Sequence, residues 1–251
     1  MSPFDLTGRC AIVTGANTGI GQAIAIGLAE AGADIVGAGR SAMDDTAQVV
    51  TSTGRRFVSL KADLSDTKEA GAVVERAFAA GASPDILVNN AGIIRRADAL
   101  EFTEEDWDAV LDTNLKSVFF LCQAFAKAAL ARDMPAKIIN IASLLSFQGG
   151  VRIPSYTASK SGLAGITRLM ANEWASKGIN VNAIAPGYVE TNNTEALRAD
   201  AERSADILKR IPAARWAKSQ DMVGAAVFLA SRASDYVHGT LLPVDGGWLA
   251  R

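Results

Sequence analysis

Three side chains in the middle of the sequence carry the most chemistry: Ser143, Tyr156 and Lys160. A tyrosine and a lysine four residues apart share one face of a helix, within reach of a common ligand. A serine that closes the preceding strand can point at the same place. An isolated phenol has a pKa of about 10 and is a poor acid or base at neutral pH. A neighbouring ammonium favours the phenolate and brings it into working range. The trio reads as a proton-transfer site for a hydroxyl or a carbonyl oxygen. The Tyr-x-x-x-Lys spacing also occurs on many ordinary helices, so the surrounding motifs must carry the reading.

The first of these motifs runs Thr14-Gly15-Ala16-Asn17-Thr18-Gly19-Ile20-Gly21. A short apolar run precedes it, as for a buried strand, and an Ala- and Leu-rich helical segment follows. Glycines let a backbone approach a pyrophosphate, and a helix N-terminus offers free N–H groups and a positive dipole end. The spacing is G-x-x-x-G-x-G. It is neither G-x-G-x-x-G nor a P-loop, because no lysine follows the last glycine. A second apolar strand ends in Asn89-Asn90-Ala91-Gly92. Such a loop suits the carboxyl edge of a parallel sheet, where ligands bind, although Asn and Gly are also ordinary turn residues.

Around these motifs, strands are expected near 10–14, 34–38, 56–60, 85–89, 136–142, 179–184 and 240–244. Helices are expected near 19–31, 42–53, 66–80, 103–131, 155–177 and 219–230. The alternation predicts an α/β domain with a parallel sheet covered on both faces, wound by right-handed crossovers. A chain of 251 residues with 49% apolar residues fits one such domain, residues 1–251. The polar, helix-prone stretch 188–215 follows the sixth strand at the ligand edge and reads as a substrate lid or as a solvated surface helix.

The net charge of −2 and the pI near 5.5 argue against a nucleic-acid binder. No run of about 18 uncharged apolar residues predicts a membrane span, and the first residues do not read as a secretory signal. Cys10 and Cys122 read as small core residues that fit a cytoplasmic protein. With His238 as the only histidine, most simply a structural one, no metal site is expected.

The combination resembles the short-chain dehydrogenase/reductase family over nearly the whole chain. It includes the glycine motif, Asp63, Asn89-Asn90-Ala91-Gly92, Asn114, the Ser143/Tyr156/Lys160 set, Pro186-Gly187 with Thr191, and Val244-Asp245-Gly246-Gly247. The resemblance implies a Rossmann-type, doubly wound seven-stranded sheet in the order 3-2-1-4-5-6-7. It implies an NAD(P)(H)-dependent oxidoreductase and a homotetramer with two-fold axes. Tyr156 would exchange the proton and Ser143 would orient the substrate oxygen. Lys160 would lower the tyrosine pKa and hold the nicotinamide ribose, and Asn114 would support a water relay behind it. Cofactor contacts are expected from Gly15, Asn17, Thr18, Gly19, Ile20, Gly21, Arg40, Asp63, Leu64, Asn90, Ala91, Gly92, Tyr156, Lys160, Pro186, Gly187, Val189 and Thr191.

Asp63 also reads as a helix cap before Ser65. The position at which NAD enzymes of the family carry an acid is Gly39 here. Arg40 follows it, and a guanidinium suits a 2′-phosphate, which favours NADP(H).

Several stretches resemble a branch of the family that acts on deoxy sugar acids: 92–96, 150–156, 168–174, 191–194 and 246–251. That branch leans toward NAD(H). A sugar acid carries a carboxylate, and Arg95, Arg96 and Arg152 fall on loops around the expected site. The alternative for two of the three is solvation or pairing with acids such as Asp98 or Glu101. The competing readings are a 3-oxoacyl carrier-protein reductase or another alcohol dehydrogenase of the family, and a non-catalytic nucleotide-binding subunit.

Overall fold

The computed structural model describes residues 2–251. Seven parallel strands form one sheet in the order β3-β2-β1-β4-β5-β6-β7. They are β1 (Cys10–Thr14), β2 (Asp34–Gly39), β3 (Phe57–Lys61), β4 (Ile86–Asn89), β5 (Ala136–Ile141), β6 (Ile179–Pro186) and β7 (Leu241–Val244). β1 is flanked by β2 on one side and β4 on the other. The strand order therefore reverses direction there, which opens a crevice at the carboxyl edge.

The central strands are buried on both faces, and their side chains alternate between two cores. Cys10, Ile12, Leu87 and Ile138 face one core; Ala11, Val13, Ile86, Val88 and Ile139 face the other. On the first face pack α3 (Thr67–Ala79), α5 (Ser117–Leu130) and α6 (Pro154–Trp174), with α4 (Glu104–Leu111) against α6. On the second lie α1 (Gly19–Glu30), α2 (Asp44–Ser52) and α9 (Val223–Ala230). Fully buried Phe125, Leu163 and Met170 each contribute about 1.5–3 kcal/mol through removal of apolar surface from water. The lone histidine lies near the start of β7, with its ring beside the Asn180 amide.

Two stretches differ from the sequence expectation. The single helix expected over 103–131 is interrupted by a π-helical turn at Asp112–Lys116, between α4 and α5. Side-chain periodicity does not reveal one widened turn, because its signature lies in the backbone hydrogen bonds. Residues 188–215 hold two short helices, α7 (Glu195–Ala199) and α8 (Ala201–Arg210). Asp200 starts α8 by accepting from the Arg203 N–H, which supplies one of the helix's free donors. Ile207 and Ile211 anchor this segment on Leu144, Trp216 and Trp248.

Candidate active site

At the carboxyl edge the glycine turn joins β1 to α1. Gly15 has φ +66°, in the left-handed region that disfavours a side chain. At Gly21 an added Cβ would stand 2.2 Å from the Gly15 carbonyl oxygen, so that position requires glycine. Thr14 ties this turn to the loop after β4. Its hydroxyl accepts from the Asn90 and Ala91 N–H groups, and the Asn90 amide donates to the Thr14 and Gly15 carbonyls.

A cleft of about 530 Å³ opens above this turn. Gly15, Asn17, Thr18, Gly19 and Ile20 form its floor, and Arg40 stands at the end of β2. Asp63 and Leu64 line it after β3, Asn90, Ala91 and Gly92 after β4, and Thr191 beyond β6. Gly21 is buried beneath the turn, and Val189 is buried beneath the 191–194 segment. Asp63 serves the local turn as well. It accepts from the N–H and the hydroxyl of Ser65, which with the Arg40 charge lowers its pKa.

A second cavity, about 440 Å³, adjoins the first at Asn193 and contains Ser143 and Tyr156. Pro186 and Gly187 line this cavity and not the cleft. α6 begins with Pro154, whose missing N–H costs nothing in a first helical turn, so Tyr156 lies close to the helix start. Ser143 and Tyr156 line this cavity together, and the Ser143 hydroxyl also accepts from the Leu145 N–H at 3.2 Å. Burial raises the tyrosine pKa, opposed by the Ser143 hydroxyl and by the Arg96 charge. This differs from the expected lowering by Lys160. The lysine Nζ donates to the Ile141 carbonyl at 2.6 Å and stands 5.6 Å from the tyrosine ring centre. Lys160 is itself buried, and desolvation lowers its pKa to about 8.

Asn114 sits fully buried in the π-helical turn. Its Oδ1 accepts from the Ile93 N–H at 2.8 Å and its Nδ2 donates to the Ile93 carbonyl at 2.8 Å. The side chain thus clamps the loop after β4. Nδ2 also reaches the Ser159 hydroxyl at 3.4 Å.

The three arginines expected near the substrate separate. Arg96 lines the cavity and donates to the Asn193 carbonyl at 2.8 Å. Arg95 turns into the neighbouring cleft and pairs with Asp106 at 3.0 Å. Arg152 lines neither; it lies exposed with φ +62° and pairs with Asp98 at 3.5 Å. A left-handed residue at that point turns the chain into α6 and carries its side chain off the cavity wall.

Sequence reasoning did not single out Arg203 and Arg210 on α8, which also line the cavity, or Tyr188 and Trp248 beside them. The signal lay in the spacing: Arg203, Ile207 and Arg210 fall at i, i+4 and i+7, one face of a helix.

Comparison with known proteins agrees with this geometry. Residues 15–249 match the family described as enoyl-(acyl carrier protein) reductase. The chain is 61% identical to a 2-dehydro-3-deoxy-D-gluconate 5-dehydrogenase of Escherichia coli, over all of this chain and 99% of that one. It is 60% identical, with the same coverage, to a 2-dehydro-3-deoxy-D-gluconate 5-dehydrogenase of Dickeya dadantii. A crystal structure from Agrobacterium tumefaciens, provisionally named a 2-deoxy-D-gluconate 3-dehydrogenase and containing NADP, superposes with a TM-score of 0.95. It is 62% identical and both chains are fully covered.

Proposed function

The chain belongs to the short-chain dehydrogenase/reductase family, and from that membership we propose that it interconverts a hydroxyl and a ketone on a deoxy sugar acid. The substrate is of the 2-dehydro-3-deoxy-D-gluconate type, reacting at the hydroxyl carbon remote from the carboxylate, and the cofactor is NADP(H). One observation carries the reading. Ser143 and Tyr156 share a cavity walled by Arg96, and that cavity adjoins a glycine-floored cleft.

The cleft suits a dinucleotide. The amides opening α1 and the close backbone approach at Gly21 suit a pyrophosphate. Arg40 at the end of β2, with no acid at Gly39, suits a 2′-phosphate and would discriminate for NADP(H). When bound, the nicotinamide supplies the hydride chemistry, which belongs to the cofactor.

The protein's part is the proton and the alignment. Tyr156, kept protonated by burial, gives its proton to a ketone oxygen in reduction. In oxidation it takes the hydroxyl proton, and Ser143 and the Arg96 charge favour the phenolate that must form. Ser143 orients the substrate oxygen. Lys160 sits behind the tyrosine with a pKa near 8, ready to exchange protons near neutrality. Both polar ends of the Asn114 side chain are occupied by Ile93, so its role is to hold the loop between the two cavities. A relay past Lys160 would run through backbone carbonyls of the widened π turn.

Residues 188–215 act in this reading as a lid, since the segment borders both cavities. The protein acts as a homotetramer. Trp107 on α4, Phe120 on α5 and Leu169 on α6 are each two-fifths or more exposed, an apolar surface that a second copy would cover. Light scattering at micromolar concentration should give four times the chain mass; the mass of one chain overturns the assembly.

The test of the activity is nicotinamide absorbance over a panel of deoxy sugar acids, neutral sugars and 3-oxoacyl thioesters. Turnover centred on the sugar acids is expected. A preference for thioesters, or for none of the panel, would remove the assignment.

A further inference from the structure

The substrate cavity is cationic in a protein of net charge −2. Its charged lining is Arg96, Arg203, Arg210 and one acid, Asp206. Asp206 is offset by Lys209, 3.2 Å away on the same helix. Among the described residues none of the three arginines has a carboxylate within salt-bridge distance. A concave, partly apolar site holding unpaired guanidinium groups is built for an anion, and guanidinium matches a carboxylate's two oxygens.

The three cations stand at two ends. The Arg96 charge acts on Tyr156, whereas those of Arg203 and Arg210 act on Tyr188. Arg210 is stacked 4.1 Å above the Trp248 ring, and Trp248 is held by its indole N–H to Gln148 at 3.2 Å. Ile207, between the two arginines, is buried in the same cluster. The helix face that carries the two charges is therefore docked, and Arg210 is oriented before any ligand arrives. Arg203 and Arg210 remain open to solvent, so closing over an anion is where their charge would be desolvated and strengthened.

We propose that Arg203 and Arg210 recognise the substrate carboxylate at the α8 end of the cavity, while Arg96 serves the reacting end beside Tyr156. This rests on the sugar-acid reading above. In such an acid the carboxylate carbon lies four carbon–carbon bonds, about 5 Å, from a reacting carbon at position 5. The charge to be bound then lies away from the tyrosine, toward α8. Arg96 alone would serve an acid that reacts next to its carboxylate.

The experiment measures KM and kcat for 2-dehydro-3-deoxy-D-gluconate and for its neutral C1-alcohol analogue in Arg203→Met, Arg210→Met and the double variant. NADPH affinity is followed by fluorescence. Charge-assisted hydrogen bonds of about 1.5–3 kcal/mol predict a rise in KM for the acid of roughly 10- to 150-fold. The neutral analogue and the NADPH Kd should be unchanged, and Arg203→Lys should recover part of the loss. An acid-over-neutral preference that survives in the double variant overturns the proposal and leaves the sugar-acid activity standing. If the wild type turns over no sugar acid, the activity reading falls instead. Calorimetry with D-gluconate and NADP then decides the arginine pair alone. Binding lost in the double variant supports it; binding unchanged there, or absent from the wild type, overturns it.

Discussion

The two cavities at the carboxyl edge of the sheet are walled by different materials. The cleft above the glycine turn is built on glycines and strand ends: a turn that excludes a side chain at Gly21, a lining that includes Gly15, Gly19, Gly39 and Gly92, and the start of α1. The neighbouring cavity is lined mainly by residues with large side chains. They come from the loop after β5, the start of α6, the helix α8 and the C-terminal Trp248. A backbone site is tuned by what must be absent, so it tolerates few substitutions and recognises a group shared by many cofactors. A side-chain site is tuned by what is present, so it can change substrate without disturbing the sheet. Arg95 and Arg96 show the boundary: neighbours in sequence, they line different cavities.

The sharpest way to break this division is at the residue where the cavities meet in function. Tyr156→Phe removes one hydroxyl and leaves the cleft untouched. Turnover should fall about 100- to 10,000-fold, the usual contribution of general acid–base catalysis, with NADPH affinity retained. Near wild-type kcat at neutral pH would mean that the proton moves elsewhere; weakened NADPH binding would mean that the two cavities are not separable.

Lys160 tests the scaffold behind both. Its pKa in the fold is about 8, below its value of 10.5 in an unfolded chain, because burial penalises the ammonium. Below pH 8 both states carry the proton, and the cost of the buried charge is fully present. Between about pH 8 and 10.5 the unfolded chain binds more protons, so folding stability rises with pH. A shift of this size corresponds to a few kcal/mol, on the order of 3. Urea denaturation of wild type and Lys160→Met at fixed protein concentration should show that rise only in the wild type. Parallel pH profiles would place the lysine in water.

Arg40 tests the one side chain on which the backbone-built cleft depends for discrimination. Arg40→Ala should weaken NADPH by roughly 10- to 150-fold and NADH little, since only the 2′-phosphate loses a charged partner. Equal losses for both cofactors would remove Arg40 from that role.

The same division explains what could be read in the sequence. The parallel sheet followed from the alternation of strands and helices, and the glycine turn and the Asn-Asn-Ala-Gly strand end are written locally; the strand order came only through the family resemblance. The π turn was not legible. Asn114 stood out only by resemblance, and its bonds to Ile93 are made across a gap of 21 residues. The cavity was half legible. Ser143 and Tyr156 are close in sequence, but Arg203, Arg210 and Trp248 meet them only through the docking of α8 on the C-terminal turn. Charge alone misleads there, because an arginine near the active-site loop in sequence need not face it.

Arg152 is that arginine, and it gives the smallest predicted effect. It lies four residues before Tyr156, and its position in sequence made it a candidate for the substrate carboxylate. In the fold it points outward to Asp98, with both side chains well exposed. An exposed ion pair is worth about 0.2–1 kcal/mol and is screened by salt, so Arg152→Met removes little from either the fold or the site. Its φ of +62° is costly for a residue with a side chain. That conformation is kept by the methionine, so the loop entering α6 should hold its course. KM for the sugar acid is therefore expected to change less than about 3-fold, within the energy of one such pair. A change as large as that expected for Arg203→Met would mean that the 150–153 loop swings Arg152 over the cavity when substrate is bound. The wall supplying the charge would then be the loop before the tyrosine rather than the helix across from it.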